Sequence, residues 1–185
     1  MGSDLLNVRA FMGDNKYKII ESPFDGTKTL LVPALNPDVA IIHVQQADES
    51  GNAQIWGIAG DCQSGANASK KVIVCCERIV SREVIGKDPS RTIVPAAKVV
   101  AVVEEPFGAH PGYTPGCYDV DYGFASVYQQ ASNTVEGFDA FLKEWVHGVE
   151  NRTEYIQHYI ERFGFAAYRR LEADFDYAYP VSYAY

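Results

Sequence analysis

The sequence predicts an α/β fold built on an open sheet with helices gathered at its carboxyl-terminal end, and three observations carry that expectation. β-Branched apolar runs recur at Val39–Gln45, Val72–Val80 and Val99–Glu104, each of strand length. Polar, small-residue stretches alternate with them, the pattern of a sheet interleaved with helices. From Thr134 onward the apolar residues change to a helical period. The 185 residues show no internal repeat, low-complexity linker or domain boundary, so a single α/β domain over 1–185 is expected, long enough to bury a core without covalent staples.

Taken in order, Met1–Asn15 has no sustained period and offers no independent element. Tyr17–Ile20 and Thr29–Val32 flank Pro23-Phe24-Asp25-Gly26, and Asp-Gly beside a proline predicts a hairpin turn. Val39–Gln45, introduced by Pro37-Asp38, reads as a strand inside the sheet with both faces covered. Ala47–Asn52 is a cluster of turn formers, after which Ala53–Ile58 is expected to run back beside that strand. Asp61–Lys71 reads as a short helix, Val72–Val80 as a strand, and Val99–Glu104 as a third buried one. Gly108–Gly123, GAHPGYTPGCYDVDYG, is too rich in Gly and Pro for a regular element and is expected to be a long ordered loop. Thr134 is placed to cap a helix reaching Val149 with Phe138, Phe141, Leu142 and Trp145 on one stripe, and a second helical region runs from Arg152 to about Ala173. The Tyr-rich tail from Phe175 receives no assignment.

Composition excludes several functions. The formal charge of −8, with Lys and Arg scattered, does not make the basic face that nucleic acid requires. The four cysteines lack C-x-x-C spacing, and Cys75 and Cys76 alternate across a strand, so reduced thiols in a cytoplasmic, soluble protein are expected. The chain opens without a signal-peptide pattern and has no bilayer-length apolar run. His43, His110, His147 and His158 have no ligand spacing, so no metal is expected, and His43 reads as a bonded near-core histidine. Phosphate-loop and serine-hydrolase motifs are absent from the sequence.

Two segments are more specific. Pro33-Ala-Leu-Asn-Pro-Asp-Val-Ala-Ile-Ile-His43 leads through Gln45 into Ala47-Asp-Glu-Ser-Gly-Asn-Ala-Gln54, and Pro106-Phe-Gly-Ala-His-Pro111 is followed by Cys117-Tyr-Asp-Val-Asp121. In that order they resemble the A subunits of family I coenzyme A transferases of the glutaconate CoA-transferase type, and the resemblance runs from the opening GSDLL to the carboxyl-terminal helices. It implies the open sheet of that superfamily and transfer of CoA between a carboxylic acid and an acyl-CoA. Coenzyme A is then a substrate, with no tightly bound cofactor. It also implies a homologous B subunit that carries the nucleophilic glutamate. The A subunits of this family begin with a glycine-rich strand-loop-helix unit that has no counterpart here. The chain therefore reads as the carboxyl-terminal part of such a subunit, inactive alone.

A carboxylate nucleophile suits the reaction, because it exchanges acyl and thiol groups in two easier steps, in a site that excludes water and stabilises an oxyanion. Within this chain the catalytic candidates are His110, whose imidazole could donate to a thioester oxygen or move a proton, and Glu105 at a strand end. Hydrogen bonding within the loop and a strand-end ion pair, the latter also for Glu104, are the alternatives for these residues. Tyr118, Asp119 and Asp121 are expected to line a substrate or subunit interface. Asp48 and Asn52 are expected to bond their own turn. Two further functions stay open: a component of a hydrolase of the same family that opens a carbon ring of a CoA thioester in steroid breakdown, which promotes Glu105 and His110, and a noncatalytic assembly module.

Overall fold

The computed structural model describes residues 16–173, which divide after Asn36 into two units. The first is the expected hairpin. β1 (Lys18–Glu21) pairs antiparallel with β2 (Lys28–Leu31), Lys18 opposite Leu31 and Glu21 opposite Lys28. Gly26 turns the chain at φ +73°, and Asp25 Oδ1 accepts hydrogen bonds from the N–H and hydroxyl of Thr27 at 3.1 and 2.8 Å. The Met1–Asn15 segment and the tail beyond Ala173 lie outside the described residues.

The second unit runs in chain order through β3 (Val39–Val44), β4 (Gln46–Ala47), β5 (Ala53–Gln54), α1 (Cys62–Ala68), β6 (Lys71–Cys76), α2 (Arg82–Lys87), β7 (Thr92–Val94) and β8 (Val99–Glu104). Four helices follow: α3 (Tyr122–Ala131), α4 (Val135–Trp145), α5 (Arg152–Phe163) and α6 (Phe165–Leu171). β3, β6 and β8 form a parallel sheet in the order β3-β6-β8, and β4, β5 and β7 form a small antiparallel one. The fold is thus α/β with open sheets and carboxyl-terminal helices.

Side-chain alternation sets the core. Ile42 and Val44 on β3, Val72, Val74 and Cys76 on β6, and partly buried Val102 on β8 share one face and pack with Ala66 of α1 and Val94 of β7. The opposite face explains two corrections. Among the described residues Val39–Gln45 is an edge strand with one face covered, leaving Ile41 71% exposed, and Val99–Glu104 is the other edge, with Val103 41% exposed. In the described parallel sheet β6 lies between these two strands, and it ends at Cys76 instead of reaching Val80. Ala53 and Gln54 run back beside β4, not β3, because the turn between them is tight: Asp48 N–H donates to Asn52 O and Gly51 N–H to Asp48 O. Gly51 is required there, since its φ is +99° and a Cβ would lie 2.6 Å from Val99 Cβ.

The helices follow their caps. Thr134 Oγ1 accepts from Gly137 N–H at 3.0 Å and starts α4. Asn151 caps α5 through Glu154 N–H. The second helical region is broken at Gly164, φ +88°, into α5 and α6. α2 and β7 fill a span without a recognisable period in the sequence, and so does α3 apart from its first residues, Tyr122 and Gly123, which fall in the expected loop. Among the described residues no helix is long and apolar enough to cross a membrane.

Candidate functional site

All three parallel strands deliver a polar group to the same end of the sheet, the end where open α/β sheets bind ligands. His43 lies next to last on β3, Glu77 follows β6, and Glu105 follows β8 and leads into the Pro106–Pro111 loop. Glu77 joins them. Its Oε1 accepts from His43 Nε2 at 2.5 Å and from the Tyr118 hydroxyl at 2.8 Å, while Oε2 accepts from Phe107 N–H at 2.8 Å. Burial works to raise its pKa, but the bonds from His43, Phe107 and Tyr118 outweigh it and hold the carboxyl below the usual glutamate value. His43 is thereby a bonded histidine.

The loop is pinned from both sides. Phe107 is buried and adopts φ +63°, a left-handed conformation costing a bulky residue about 1–3 kcal/mol. Its N–H is held by Glu77, its carbonyl accepts from Arg152 Nη2, and its ring stacks on His110 at 4.6 Å. Gly108 follows, where a Cβ would sit 2.6 Å from His43 Cε1 and 2.7 Å from the Glu105 carbonyl. The His110–Pro111 peptide is cis.

The His110 side chain is 0% exposed. Its Nε2 lies 3.1 Å from Asp121 Oδ2 and its Nδ1 2.7 Å from the Tyr155 hydroxyl. A carboxylate only accepts, so Nε2 carries the proton and Nδ1 accepts from Tyr155. Burial lowers the His110 pKa and nearby Arg152 adds to this, against the pull of Asp121, which keeps the ring neutral at pH 7. Asp121 is the junction. Oδ1 caps α3 through Phe124 N–H at 2.9 Å, and Oδ2 also accepts from the Tyr159 hydroxyl. Burial raises its pKa, yet the bonds from Tyr159, Phe124 and His110 bring it below the usual aspartate value. Burial also pushes Tyr155 up to about 12, so its hydroxyl stays a donor.

The structure therefore brings His110, Asp121 and Tyr118 together around one loop and places Glu105 beside it. Tyr118 is 3% exposed, and its hydroxyl lies between Glu77 and Ala109 N–H. Asp119 is exposed and contributes its N–H to Leu171 O at 2.9 Å. Glu104 Oε1 accepts from Ile79 N–H at 2.7 Å. Asp48 and Asn52 form their own turn, with Asp48 Oδ1 and Oδ2 accepting from Asn52 N–H and Nδ2 at 2.9 and 2.7 Å. Asn52 Oδ1 accepts from Ala96 N–H. Sequence reasoning missed Glu77 and Arg152. Glu77 meets partners at least 30 residues away, which no spacing rule reveals, whereas Arg152 two residues after Gly-Val-Glu is visible only as a first-turn cation.

A cavity of about 650 Å³ adjoins the loop. Phe124, Tyr128, Phe141, Trp145, Val146 and Val149 make its apolar wall, and Glu105, His110, Glu150 and Arg152 border it. Arg152 lies over the Tyr155 ring at 4.4 Å, and its Nε is buried without a hydrogen-bond partner. Among the described residues no three His, Cys, Asp or Glu side chains converge as a metal site.

The sequence matches the coenzyme A transferase family over residues 11–105. It is 46% identical over 144 residues to the A subunit of glutaconate CoA-transferase from Acidaminococcus fermentans, covering 77% of this chain and 45% of that one. A crystal structure of glutaconate coenzyme A-transferase from the same organism matches with a TM-score of 0.78 and 41% identity over 88% of this chain and 50% of that one. The A subunit of 3-oxoadipate CoA-transferase from Pseudomonas knackmussii is 34% identical over 83% of this chain and 52% of its own. A cholesterol ring-cleaving hydrolase IpdA subunit of Rhodococcus jostii is 31% identical over 82% and 52%. The chain spans about half the length of the relatives it matches. It belongs to the coenzyme A transferase family and aligns with the A subunits within it.

Proposed function

We propose that this chain is the A-subunit portion of a heteromeric CoA-transferase that moves CoA between a carboxylic acid and an acyl-CoA, in the cytoplasm, with the nucleophilic glutamate on a homologous B subunit. The observation that carries this reading is the braced Pro106–Pro111 loop at the carboxyl end of the parallel sheet. The loop is preorganised but its donors are spent: the N–H groups of Phe107, Gly108, Ala109 and His110 bond Glu77, Glu105 O, Tyr118 and Phe107 O. The chain thus offers a fixed, water-excluding wall, while the attacking atom and the oxyanion donors come from across an interface. CoA enters as substrate. Ring-opening hydrolysis would ask His110 to move a proton, and both its ring nitrogens are already bonded, which favours transfer.

The test is an assay of the full chain with and without a B subunit, using an acyl-CoA donor and a free acid acceptor. No turnover is expected from the chain alone. With the partner, the acceptor's CoA thioester should form only when the acid is supplied. Release of free CoA without an acceptor would show hydrolysis instead. No turnover in a stable complex across a panel of short and medium acids would leave an assembly role.

A further inference from the structure

One carboxylate reaches three consecutive residues of the Pro106–Pro111 loop. Glu77 follows β6, the middle strand of the described parallel sheet, and its own N–H donates to Val44 O at 3.1 Å, so the side chain starts from a rigid base. Only 8% of that side chain is exposed. Oε2 takes the Phe107 N–H directly at 2.8 Å. Ala109 is reached through Tyr118: the Ala109 N–H donates to the Tyr118 hydroxyl at 2.8 Å, and that hydroxyl donates to Oε1 at 2.8 Å. Gly108 is reached through His43, whose Nε2 donates to Oε1 at 2.5 Å and whose ring lies so close that a Cβ on Gly108 would meet Cε1 at 2.6 Å. His43, Tyr118 and Phe107 all donate, which suits a group that only accepts. An amide of the same shape would turn its NH2 toward at least one of these donors. His110 is held separately, by Asp121 and Tyr155.

We propose that Glu77 is a positioning residue for CoA transfer, acting through Phe107, His43 and Tyr118 to fix residues 107–109 as one wall of the reacting centre. The assignment rests on the transferase reading. Phe107 is held at φ +63° with its N–H on Glu77 and its carbonyl on Arg152, and releasing the N–H lets the backbone relax toward the ordinary regions. A displaced wall still admits substrate, but the reacting atoms lose their alignment. A misplacement of about 1 Å costs about 100-fold in rate, so the loss falls on kcat and leaves KM nearly unchanged.

The experiment compares the unsubstituted B-subunit complex with complexes carrying Glu77→Gln, Glu77→Asp and, as a stability control, Val74→Ala, at a temperature where melting curves show all of them folded. Kinetics of CoA transfer are read on the complexes, and amide hydrogen exchange on the full chain. Glu77→Gln is expected to lower kcat about 100-fold with both KM values within about two-fold of the unsubstituted complex. Exchange at Phe107 and Ala109 should rise about ten-fold or more while the amides of β6 keep their protection. Glu77→Asp, which keeps the acceptor-only charge, should recover part of kcat, and Val74→Ala should change neither kcat nor loop exchange. Should Glu77→Gln fail to fold, Tyr118→Phe takes its place: it cuts the Ala109 route alone, with a kcat loss of about ten-fold. Unchanged kcat or loop exchange in the folded variant, a loss carried by KM, or an equal kcat loss in Val74→Ala would each overturn the assignment. An unsubstituted complex that transfers no CoA removes the transferase reading and this role together, whereas an active one that Glu77→Gln matches removes the role alone.

Discussion

The two cores of the second unit are built from different materials. The sheet core is aliphatic and small, with Ile42, Val44, Val72, Val74, Cys76 and Val94, and its buried polar neighbours Gln45, Gln46 and Gln54 are uncharged amides. The other is aromatic, with Phe107, Tyr118, Phe124, Trp145, Tyr155 and Tyr159, and is threaded by bonds to two buried acids and a buried histidine. Non-directional burial is enough to stack strands, whereas holding a left-handed Phe107 and a neutral His110 in one geometry takes directed bonds. Buried ionisable groups and the left-handed Phe107 are concentrated where the candidate site lies, so the two cores should respond differently to substitution.

The largest effect is expected at Glu77. Glu77→Ala strands the His43 imidazole, the Tyr118 hydroxyl and the Phe107 N–H at once, and urea unfolding should show a loss of about 3–5 kcal/mol. Asp121→Ala removes a helix cap and the acceptor for His110 and Tyr159, with an expected loss of about 2–4 kcal/mol. In the aliphatic core, Val74→Ala deletes two methyl groups without leaving a polar atom unpaired, and about 2 kcal/mol is expected. At the surface, Thr134→Ala removes only a cap and should cost about 1 kcal/mol by the same measurement. A reversed order between Glu77→Ala and Val74→Ala would break the comparison.

Acid sharpens it further. Glu77 and Asp121 have folded pKa values below their ordinary ones, so the unfolded chain binds their protons first as pH falls; the stability they contribute is present above the unfolded pKa and lost through the folded one. His110 is also lowered. It is neutral in the fold, and below about pH 6.5 the unfolded imidazole takes the proton, so its contribution too is lost on acidification. All three signs agree. Melting curves between pH 7 and pH 4 should fall, and Asp121→Asn should flatten that dependence while Val74→Ala leaves its slope unchanged.

This contrast also marks what was legible in the sequence. Strand runs, the Asp25-Gly26 turn, the Thr134 cap and the Asp48–Asn52 turn are local signals, carried by residues within a few positions of one another, and periodicity and turn chemistry are enough to find them. Which strands lie at the edges depends on pairing order, so Ile41 and Val103 look buried in the sequence alone. Buried glutamines make the same point: Gln45 donates to Trp56 O at 2.9 Å and Gln54 to Asp88 O at 2.7 Å, in a setting where periodicity marks apolar residues alone. For the site, His110, Tyr118 and Asp121 are visible as a cluster in a Gly-Pro loop. Glu77, which binds that cluster to β3, reads as an ordinary charge after a strand.

Under the proposed transferase function, the aromatic, hydrogen-bonded region serves the reaction and the aliphatic region serves only stability. The most direct measurement compares kcat for CoA transfer by the reconstituted complex carrying Tyr118→Phe, which breaks the bonds to Glu77 and Ala109, with that of Val74→Ala, at a temperature where both are folded. A kcat loss of about ten-fold or more is expected for Tyr118→Phe, with an unchanged kcat for Val74→Ala. Equal kcat values in the two variants would contradict this division of roles.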